Sequence, residues 1–282
     1  MTTTTALPKR PVQPVQPIKS ARTFAPLQAK TPTPRIVLHA VEGWGKTTFA
    51  AFAPSPLILM GRGETGVQRL VDSGRIPDNV PVAAVESWED TLGWLDDLAA
   101  NTQGIKTLAL DSMGVFERLC HEHVCKRDFG NDWGERGFGS FNKGYDVSVA
   151  EWNKLLQRLD LINKLGIVVV ILGHSRVKAF KNPIGPDFDR FVCDAHEKTW
   201  AVTARWADAV YFGNFVSAVV GAKTLDKKGK GIGGADRMIY TNRRDAWDAK
   251  PGYAVPEQIA IPNEHTQVWN TVWNAIVTKE TA

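Results

Sequence analysis

The segment AVEGWGKT at residues 40–47 constrains this chain most, because it stands between an apolar run, RIVLH, and an apolar stretch with helical spacing, TFAAF. A strand, a loop of small residues and a helix in this order can turn successive backbone N–H groups towards phosphate oxygens. The loop has the GKT end of the GxxxxGK[ST] pattern, whereas Ala40 replaces its first glycine. It therefore predicts a P-loop; a strand–turn–helix with an incidental lysine is the alternative.

The residue types of this loop also predict how a nucleotide is held. Lys46 would contact the β- and γ-phosphates, and the Thr47 hydroxyl would ligate magnesium. We therefore expect a P-loop ATPase with ATP and Mg²⁺ as its cofactors. The residues expected to contact the nucleotide are Glu42, Gly43, Trp44, Gly45, Lys46, Thr47 and Thr48.

A metal-binding acid is expected at the end of a central strand, and TLALD supplies Asp111. Asp111 would hold a magnesium-bound water; the alternative is a helix N-cap, in which Asp111 or Ser112 accepts a backbone N–H. Hydrolysis also needs a group that orients or deprotonates water. Because Ser112 rather than a glutamate follows Asp111, Glu64 in the GETG turn is the predicted base, with an ordinary loop acid as the alternative.

From residue 35 onwards, short apolar runs alternate with amphipathic stretches, a pattern typical of βα units and a parallel sheet. Strands that are apolar on both faces imply helices on both sides. Beyond residue 212, two β-like runs flank DKKGKGIGG and predict a C-terminal β-hairpin extension. The fold class is thus α/β with a mainly parallel central sheet. The predicted strands are 36–40, 57–60, 80–85, 107–110, 167–172 and 208–212; the predicted helices are 46–53, 88–99, 115–126, 150–164, 197–206 and 266–277.

Residues 1–34 differ from the rest in being rich in Thr, Pro and Gln, which predicts a disordered basic arm before a domain at 35–282. The arm holds five of the 34 basic residues and no acid, so 29 basic and 30 acidic residues remain in the domain. Attraction to nucleic acid must therefore come from local patches. The arm is either a solvated leader or a segment that touches DNA or a neighbouring subunit.

Three cysteines are too few for a disulfide framework, and no apolar segment resembles a secretory leader or reaches the roughly 18 residues of a membrane span. We expect a cytoplasmic protein without membrane contact. The segment CHEHVC suggests zinc, together with Cys193 and His196, but Cys120 and Cys125 would diverge by roughly 140° on a helix. We therefore expect no structural zinc. The other potential ligands in CHEHVC are His121 and His123.

The motifs AVEGWGKTT, GETG, TLALDS, FNKGYDVSVAEW, VVVILGHSRVKAF and ARWADAVYF follow one another between residues 35 and 215. Together they resemble the RecA-type ATPase core, and more closely the ATP-binding proteins of bacteriophages that carry an abbreviated RecA domain. The resemblance implies a RecA-like P-loop NTPase core at 35–215, followed by the hairpin and last helix at 216–282. It implies a catalytic role for Glu64, beside Lys46 and Asp111, and a γ-phosphate sensor at His174; a satisfied strand-end histidine is the alternative.

In RecA-like recombinases a loop after this sensor contacts DNA, which corresponds here to residues 175–194. Basic side chains bind phosphates and aromatic rings stack on bases in single-strand binding. The acids of the segment dilute its charge, so a plain surface loop is the alternative. The candidate DNA-binding residues are Arg176, Lys178, Phe180, Lys181 and Arg190.

Two further segments are candidates for a functional role. The glycine-rich stretch 128–145 is long for a loop in a compact domain, which favours function or mobility, with Lys143 and Tyr145 as its residues of interest. Sites in RecA-like assemblies are often completed by a basic residue of the adjacent subunit, a role open to Arg243, Arg244 and Lys250; solvated basic residues are the alternative.

The sequence thus predicts a homo-oligomeric, RecA-like ATPase that acts on single-stranded DNA in phage recombination or replication, in the host bacterial cytoplasm. The alternative is a nucleotide-gated interaction protein that does not bind DNA. A helicase motor is disfavoured because no second motor domain is evident.

Overall fold

A computed structural model describes residues 33–220 and 230–278. Most of the predicted arm and residues 226–229 of the predicted hairpin tip, DKKGKGIGG, lie outside the described residues, whereas the rest of this stretch belongs to a strand that begins at Lys230. The strands are β1 (Arg35–Ala40), β2 (Pro56–Gly61), β3 (Val82–Val85), β4 (Thr107–Asp111), β5 (Val168–Phe180), β6 (Phe188–Cys193), β7 (Ala209–Val220), β8 (Lys230–Tyr240) and β9 (Gln258–Ile261). The helices are α1 (Lys46–Ala51), α2 (Gly66–Asp72), α3 (Trp88–Ala100), α4 (Met113–Phe129), α5 (Lys143–Lys164), α6 (Glu197–Trp206) and α7 (Val268–Val277).

The strands form one sheet in the order β3-β2-β4-β5-β1-β7-β8-β9, with β6 paired to β5. The strands from β3 to β7 in this order are parallel, and β8 and β9 are antiparallel. The predicted α/β class is therefore confirmed: a mainly parallel sheet is covered by helices. The antiparallel pair β7–β8 is the predicted hairpin, but β7 continues without a break from the parallel core strand predicted at 208–212.

Alternate residues of the strands enter two separate cores, one on each face of the sheet. Along β1, Val37 packs with α3 to α6, whereas Ile36 and Leu38 pack with α1, α2 and α7. This period of two follows from the pleat of a strand and explains why central strands are apolar throughout. The larger core is anchored by Trp152, which stacks on Trp88 with ring centroids 5.9 Å apart.

The prediction of a loop at 175–194 is wrong. β5 runs on to Phe180 and pairs with β6 in antiparallel register, from Ser175 opposite Cys193 to Phe180 opposite Phe188. The hairpin is stabilised because the Phe180 and Phe188 rings lie 5.1 Å apart and the Arg190 guanidinium lies over both. These contacts form only when the two strands pair, so they cannot be recognised in the sequence. The polar run after residue 174 therefore favoured a loop.

Other boundaries differ where helices extend into predicted loops. α5 begins at Lys143, so Lys143 and Tyr145 belong to a helix rather than to the glycine-rich loop. The Tyr145 ring stacks on His196 at 4.0 Å between centroids, which fixes the start of α5 against α6. The short elements α2, β6 and β9 were not predicted. Within the described residues, no helix is both long and apolar enough to cross a bilayer.

Candidate functional site

The loop between β1 and α1 has the backbone of a phosphate cradle. Gly43 and Gly45 have φ of 73° and 105°, a left-handed region in which a side chain is strained. A Cβ on Gly45 would also lie 2.9 Å from the Arg237 Nη1 atom. Ala40, which replaces the first glycine of the pattern, is the last residue of β1 and does not have a positive φ, so its backbone does not require glycine.

Lys46 lies over this loop. Its Nζ atom donates to the carbonyl oxygens of Ala40 at 3.3 Å and Val41 at 3.4 Å, and lies 3.5 Å from His174 Nδ1. Burial lowers the pKa of the Lys46 ammonium, while the Asp111 carboxylate partly opposes this shift. The cation is therefore held at the loop with carbonyl oxygens rather than a carboxylate as its hydrogen-bond acceptors.

Thr47 and Asp111 meet although they belong to separate elements. The Thr47 hydroxyl donates a 2.5 Å hydrogen bond to Asp111 Oδ2 at the end of β4. Burial raises the pKa of the Asp111 carboxyl, and the Thr47 bond opposes the rise. One hydroxyl and one carboxylate are hard oxygen donors, which is the donor set that Mg²⁺ prefers, so these residues fit the expected metal. They would hold it beside the phosphate loop.

Glu64 lies in the turn after β2, where Ser112 Oγ donates to its Oε1 atom at 3.1 Å. Glu64 is partly buried and faces the same cavity as Lys46, unlike an ordinary loop acid. The N-cap alternative for Asp111 has no support, because α4 begins after Ser112 without a side-chain cap and the Asp111 carboxylate is turned to Thr47.

These side chains line one cavity of about 580 Å³. Every predicted catalytic and nucleotide-contacting residue is there except Glu42, which is exposed beside it. The Trp44 side chain is fully buried and its Nε1 atom donates to the Met238 carbonyl at 3.3 Å, so it anchors the loop to β8. The lining residues that sequence reasoning missed are Gly66, Arg69, Leu70, Arg75, Arg237, Asn263 and His265.

Among these residues, Arg237 connects the phosphate loop to the segment after β9. It extends from β8, is 7% exposed, and donates to the carbonyl oxygens of Trp44 at 3.2 Å and Pro262 at 2.6 Å. Its guanidinium lies 5.9 Å from the centroid of the Trp44 ring. The available signal was a single arginine in the alternating run ADRMIY, whose strand pairing cannot be read from the sequence.

A family model described as an AAA domain matches residues 33–252. The chain belongs to this AAA domain family. The match covers β1 to β8, and with them the phosphate loop, Glu64, Asp111, His174 and Arg237. No curated protein sequence matches the chain. Family membership identifies the AAA domain as a nucleotide-binding P-loop ATPase domain, a type that usually works with Mg²⁺.

The candidate DNA-binding residues of the AAA domain separate into two groups. Arg176, Lys178 and Lys181 are exposed along the β5–β6 hairpin. Phe180 is half-buried beneath Arg190, which is 6% exposed and donates to the Asp245 carbonyl at 2.8 Å. Phe180 and Arg190 therefore stabilise the hairpin and offer little surface to a ligand.

The three residues predicted to act on a neighbouring site lie away from the cavity of their own AAA domain. The Lys250 Nζ atom donates to the Ala207 carbonyl at 2.5 Å, at the C-terminal end of α6. Arg244 pairs with Glu257, and Arg243 is exposed. A role for these residues in trans stays a prediction, with Lys250 already engaged by α6.

The three cysteines and His121 are packed in the interior, whereas His123 of α4 hydrogen-bonds to Glu89. Cys120, Cys125 and Cys193 are buried as free thiols, and burial raises the pKa of Cys120 and Cys193. His121 packs edge-on against Tyr145 with centroids 5.2 Å apart. In the described part of the chain, no three His, Cys, Asp or Glu residues are grouped as a metal site would need.

Proposed function

We propose that this AAA domain is a magnesium-dependent, RecA-like ATPase that acts on single-stranded DNA in phage recombination or replication. The observation that carries the ATPase part is the convergence of Lys46, Thr47, Asp111 and Glu64 on one cavity beside the phosphate loop. The four side chains come from α1, the β2 turn and β4, so their meeting is a property of the fold and not of one motif.

In the proposed reaction, the loop amides and Lys46 hold the β- and γ-phosphates and neutralise charge that develops on them. Thr47 would ligate Mg²⁺ and Asp111 would hold it through a bound water, and the ion would supply Lewis-acid stabilisation of the phosphate oxygens. Glu64 accepts a proton from the water whose oxygen attacks the γ-phosphorus. The bond from the γ-phosphorus to the bridging oxygen breaks, and its electron pair stays on the β-phosphate of ADP.

Two placements support the assignment of these roles. Ser112 orients the Glu64 carboxylate through a 3.1 Å hydrogen bond, as a base that must face one water requires. His174 lies on β5, between the strands that carry the phosphate loop and Asp111, and touches Lys46. A γ-phosphate held by Lys46 would therefore lie within reach of His174.

The RecA-like assignment rests on the position of the acid. Glu64 follows β2, as the resemblance to RecA-type cores implies, whereas Ser112 occupies the position directly after Asp111. The antiparallel extension β8–β9 then adds a second wall to the cavity through Arg237 and Asn263.

The DNA-binding part of the proposal rests on the continuity of β5. The strand carries His174 at the cavity and, two and four residues later, the exposed Arg176 and Lys178. A change at the γ-phosphate can therefore reach the hairpin through one strand. Exposed cations near Lys181 would contact phosphates of a single strand, and such binding weakens steeply with salt.

Fluorescence anisotropy with a labelled single strand tests this proposal. Binding should require MgATP, and the Lys178→Ala/Lys181→Ala variant should bind more weakly with a salt slope reduced by about 0.7 per lysine. The matched control is Lys106→Ala/Lys164→Ala, which removes the same charge at the opposite edge of the sheet. Equal binding by both variants would exclude the hairpin as the DNA-binding element.

A nucleotide-gated interaction protein is the second candidate, and the hairpin tip favours it. Ile184 at the tip is 94% exposed, Val177 on the paired part of β5 is 55% exposed, and the acids Asp187 and Asp189 follow the tip in the sequence. An apolar tip with acidic neighbours is better suited to a protein partner than to a polyanion. Failure to bind single strands at low salt, with ATP hydrolysis intact, would favour this candidate.

Homo-oligomerisation is part of the proposal because the resemblance to RecA-like assemblies implies that a basic residue of an adjacent subunit completes the site, and Arg243 is exposed outside its own cavity. Light scattering with and without MgATP measures it. An Arg243→Ala variant that assembles normally but hydrolyses ATP more slowly would support a role in a neighbouring site.

A further inference from the structure

Arg237 is a buried cation without a buried partner acid. Within the described residues it forms no ion pair, and its acceptors are the neutral carbonyl oxygens of Trp44 and Pro262. Burial of a charge is costly unless hydrogen bonds and an opposite charge compensate it. Two carbonyls satisfy only part of this requirement.

A phosphate group bound in the cavity could compensate the charge of Arg237. The Arg237 guanidinium lines the cavity and stands directly behind the phosphate loop, where a Cβ on Gly45 would come within 2.9 Å of its Nη1 atom. A polyphosphate held by the loop amides would approach this guanidinium through the loop. The nucleotide would thus supply the charge that the protein does not.

The two acceptors of Arg237 belong to two separate segments of the chain next to the cavity. Trp44 is part of the phosphate loop, and Pro262 directly precedes Asn263 and His265, which line the cavity between β9 and α7. The His265 Nδ1 atom is buried without a hydrogen-bond partner. The Asn263 side chain is exposed in the same lining, and its amide can both donate hydrogen bonds to and accept them from the polar groups of a nucleoside.

We propose that Arg237 is a positioning residue that ties the phosphate loop to the wall formed by Asn263 and His265, so that the phosphates and nucleoside of one nucleoside triphosphate bind as a unit. This proposal rests on the proposed nucleotide site. It assigns phosphate contacts to the loop and nucleoside contacts to a segment at the C-terminal end of β9, which the sequence did not single out.

The test compares affinities for MgATP and for inorganic triphosphate by calorimetry. Wild-type protein should bind ATP more tightly, because only ATP reaches both walls. Arg237→Met should weaken ATP binding by about tenfold or more, the loss expected for a charged hydrogen bond, and should reduce the preference for ATP. In steady-state kinetics the variant should raise KM more than it lowers kcat. The control Arg158→Met removes an arginine that pairs with Asp96 on the surface, and should change neither affinity.

Asn263→Ala is a second test variant that leaves Arg237 in place. It keeps the experiment decisive if Arg237→Met does not fold. Asn263→Ala should reduce the preference for ATP over triphosphate. The double variant Asn263→Ala/Arg237→Lys should reduce this preference little further, because both residues act on the same wall. A purely structural Arg237 would lower the melting temperature and leave the ratio of the two affinities unchanged, which would overturn the proposal. An unchanged ratio in Asn263→Ala would overturn it as well. Wild-type protein that binds neither ligand would instead refute the nucleotide site itself.

Discussion

Thr47 and Asp111, 64 residues apart in the sequence, are joined by a hydrogen bond of 2.5 Å. The bond is possible because β5 alone separates β1 from β4 in the sheet, so that the carboxyl ends of the three strands lie side by side. The bond holds a hydroxyl and a largely desolvated carboxylate together beside the phosphate loop. This arrangement fits a magnesium ion that Thr47 would ligate and that Asp111 would hold through a bound water.

Asp111→Asn should separate stability from activity. The carboxylate is buried and burial raises its pKa, so the charged form is held at a cost that the amide avoids. Without nucleotide, the variant should match or exceed the wild-type free energy of unfolding, by up to about 1 kcal/mol. Its ATPase rate with Mg²⁺ should fall by roughly 100-fold or more. Urea unfolding and a phosphate-release assay measure the two effects. A variant that is less stable and equally active would contradict the metal role.

Glu64→Gln should slow hydrolysis strongly and leave nucleotide binding intact. The amide keeps the hydrogen bond from Ser112 but cannot accept a proton from water. Loss of a general base slows reactions by roughly 100- to 10,000-fold. Single-turnover hydrolysis and calorimetry separate the two steps. As a control, Glu42→Gln changes an exposed acid of the phosphate loop that does not line the cavity, and it should retain most activity. Full activity in Glu64→Gln would mean that another group activates water.

Arg190→Ala should lower the free energy of unfolding, whatever its effect on DNA affinity. The variant loses the stack over Phe180 and the 2.8 Å hydrogen bond to the Asp245 carbonyl. Together these contacts suggest a loss of about 2 kcal/mol in the free energy of unfolding. Lys178→Ala, at an exposed position of the same hairpin, should change stability by less than about 0.5 kcal/mol. Thermal unfolding of the two variants checks the contrast, and equal stability would show that Arg190 is free to bind a ligand.

His39 should make stability depend on pH. It is fully buried on β1, and burial lowers its pKa from 6.5 to about 4. The Asp248 carbonyl can only accept, so Nε2 carries the proton at 2.9 Å from it, and Nδ1 accepts from the Ser175 hydroxyl. A neutral ring is therefore built into the fold. As the pH falls from about 6.5 towards 4, the unfolded chain takes up a proton that the folded chain does not, so stability falls by about 3 kcal/mol.

The pH dependence is isolated by comparison with His39→Gln. Glu117 has a pKa raised by burial and contributes the opposite sign, since its folded form binds a proton more readily as the pH falls. Both proteins contain Glu117, so the difference in slope between them belongs to His39. Urea unfolding at pH 7, 6 and 5 should show that the free energy of unfolding falls less steeply with decreasing pH in the variant than in the wild-type protein. Parallel dependences would mean that His39 takes up its proton over the same pH range in the folded and the unfolded chain, which would contradict a lowered pKa in the fold.

Much of the cavity was predictable because its residues follow strands. Lys46, Thr47, Glu64, Asp111 and His174 each stand just beyond an apolar run, and parallel strands place such positions at one edge of the sheet. The sheet itself was predictable from apolar runs that alternate with helical stretches.

The second wall of the cavity was not predictable, because it depends on antiparallel pairing. Arg237 reaches the phosphate loop only because β8 pairs with β7 and Gly213 leaves room for Trp44; a Cβ at Gly213 would lie 2.8 Å from that ring. No local pattern encodes this contact. The β5–β6 hairpin was missed for a similar reason, since the contacts of Arg190 with Phe180 and Phe188 exist only after pairing.

The central claim is that one cavity holds a magnesium-bound nucleoside triphosphate through Lys46. Calorimetric titration of MgATP into the wild-type protein and into Lys46→Ala tests it most directly, with Lys164→Ala as a control for the loss of a surface charge. The wild-type and control proteins should bind one MgATP per chain with the same affinity, and Lys46→Ala should bind it at least about tenfold more weakly. Equal affinity of Lys46→Ala and wild-type protein for MgATP would contradict the account.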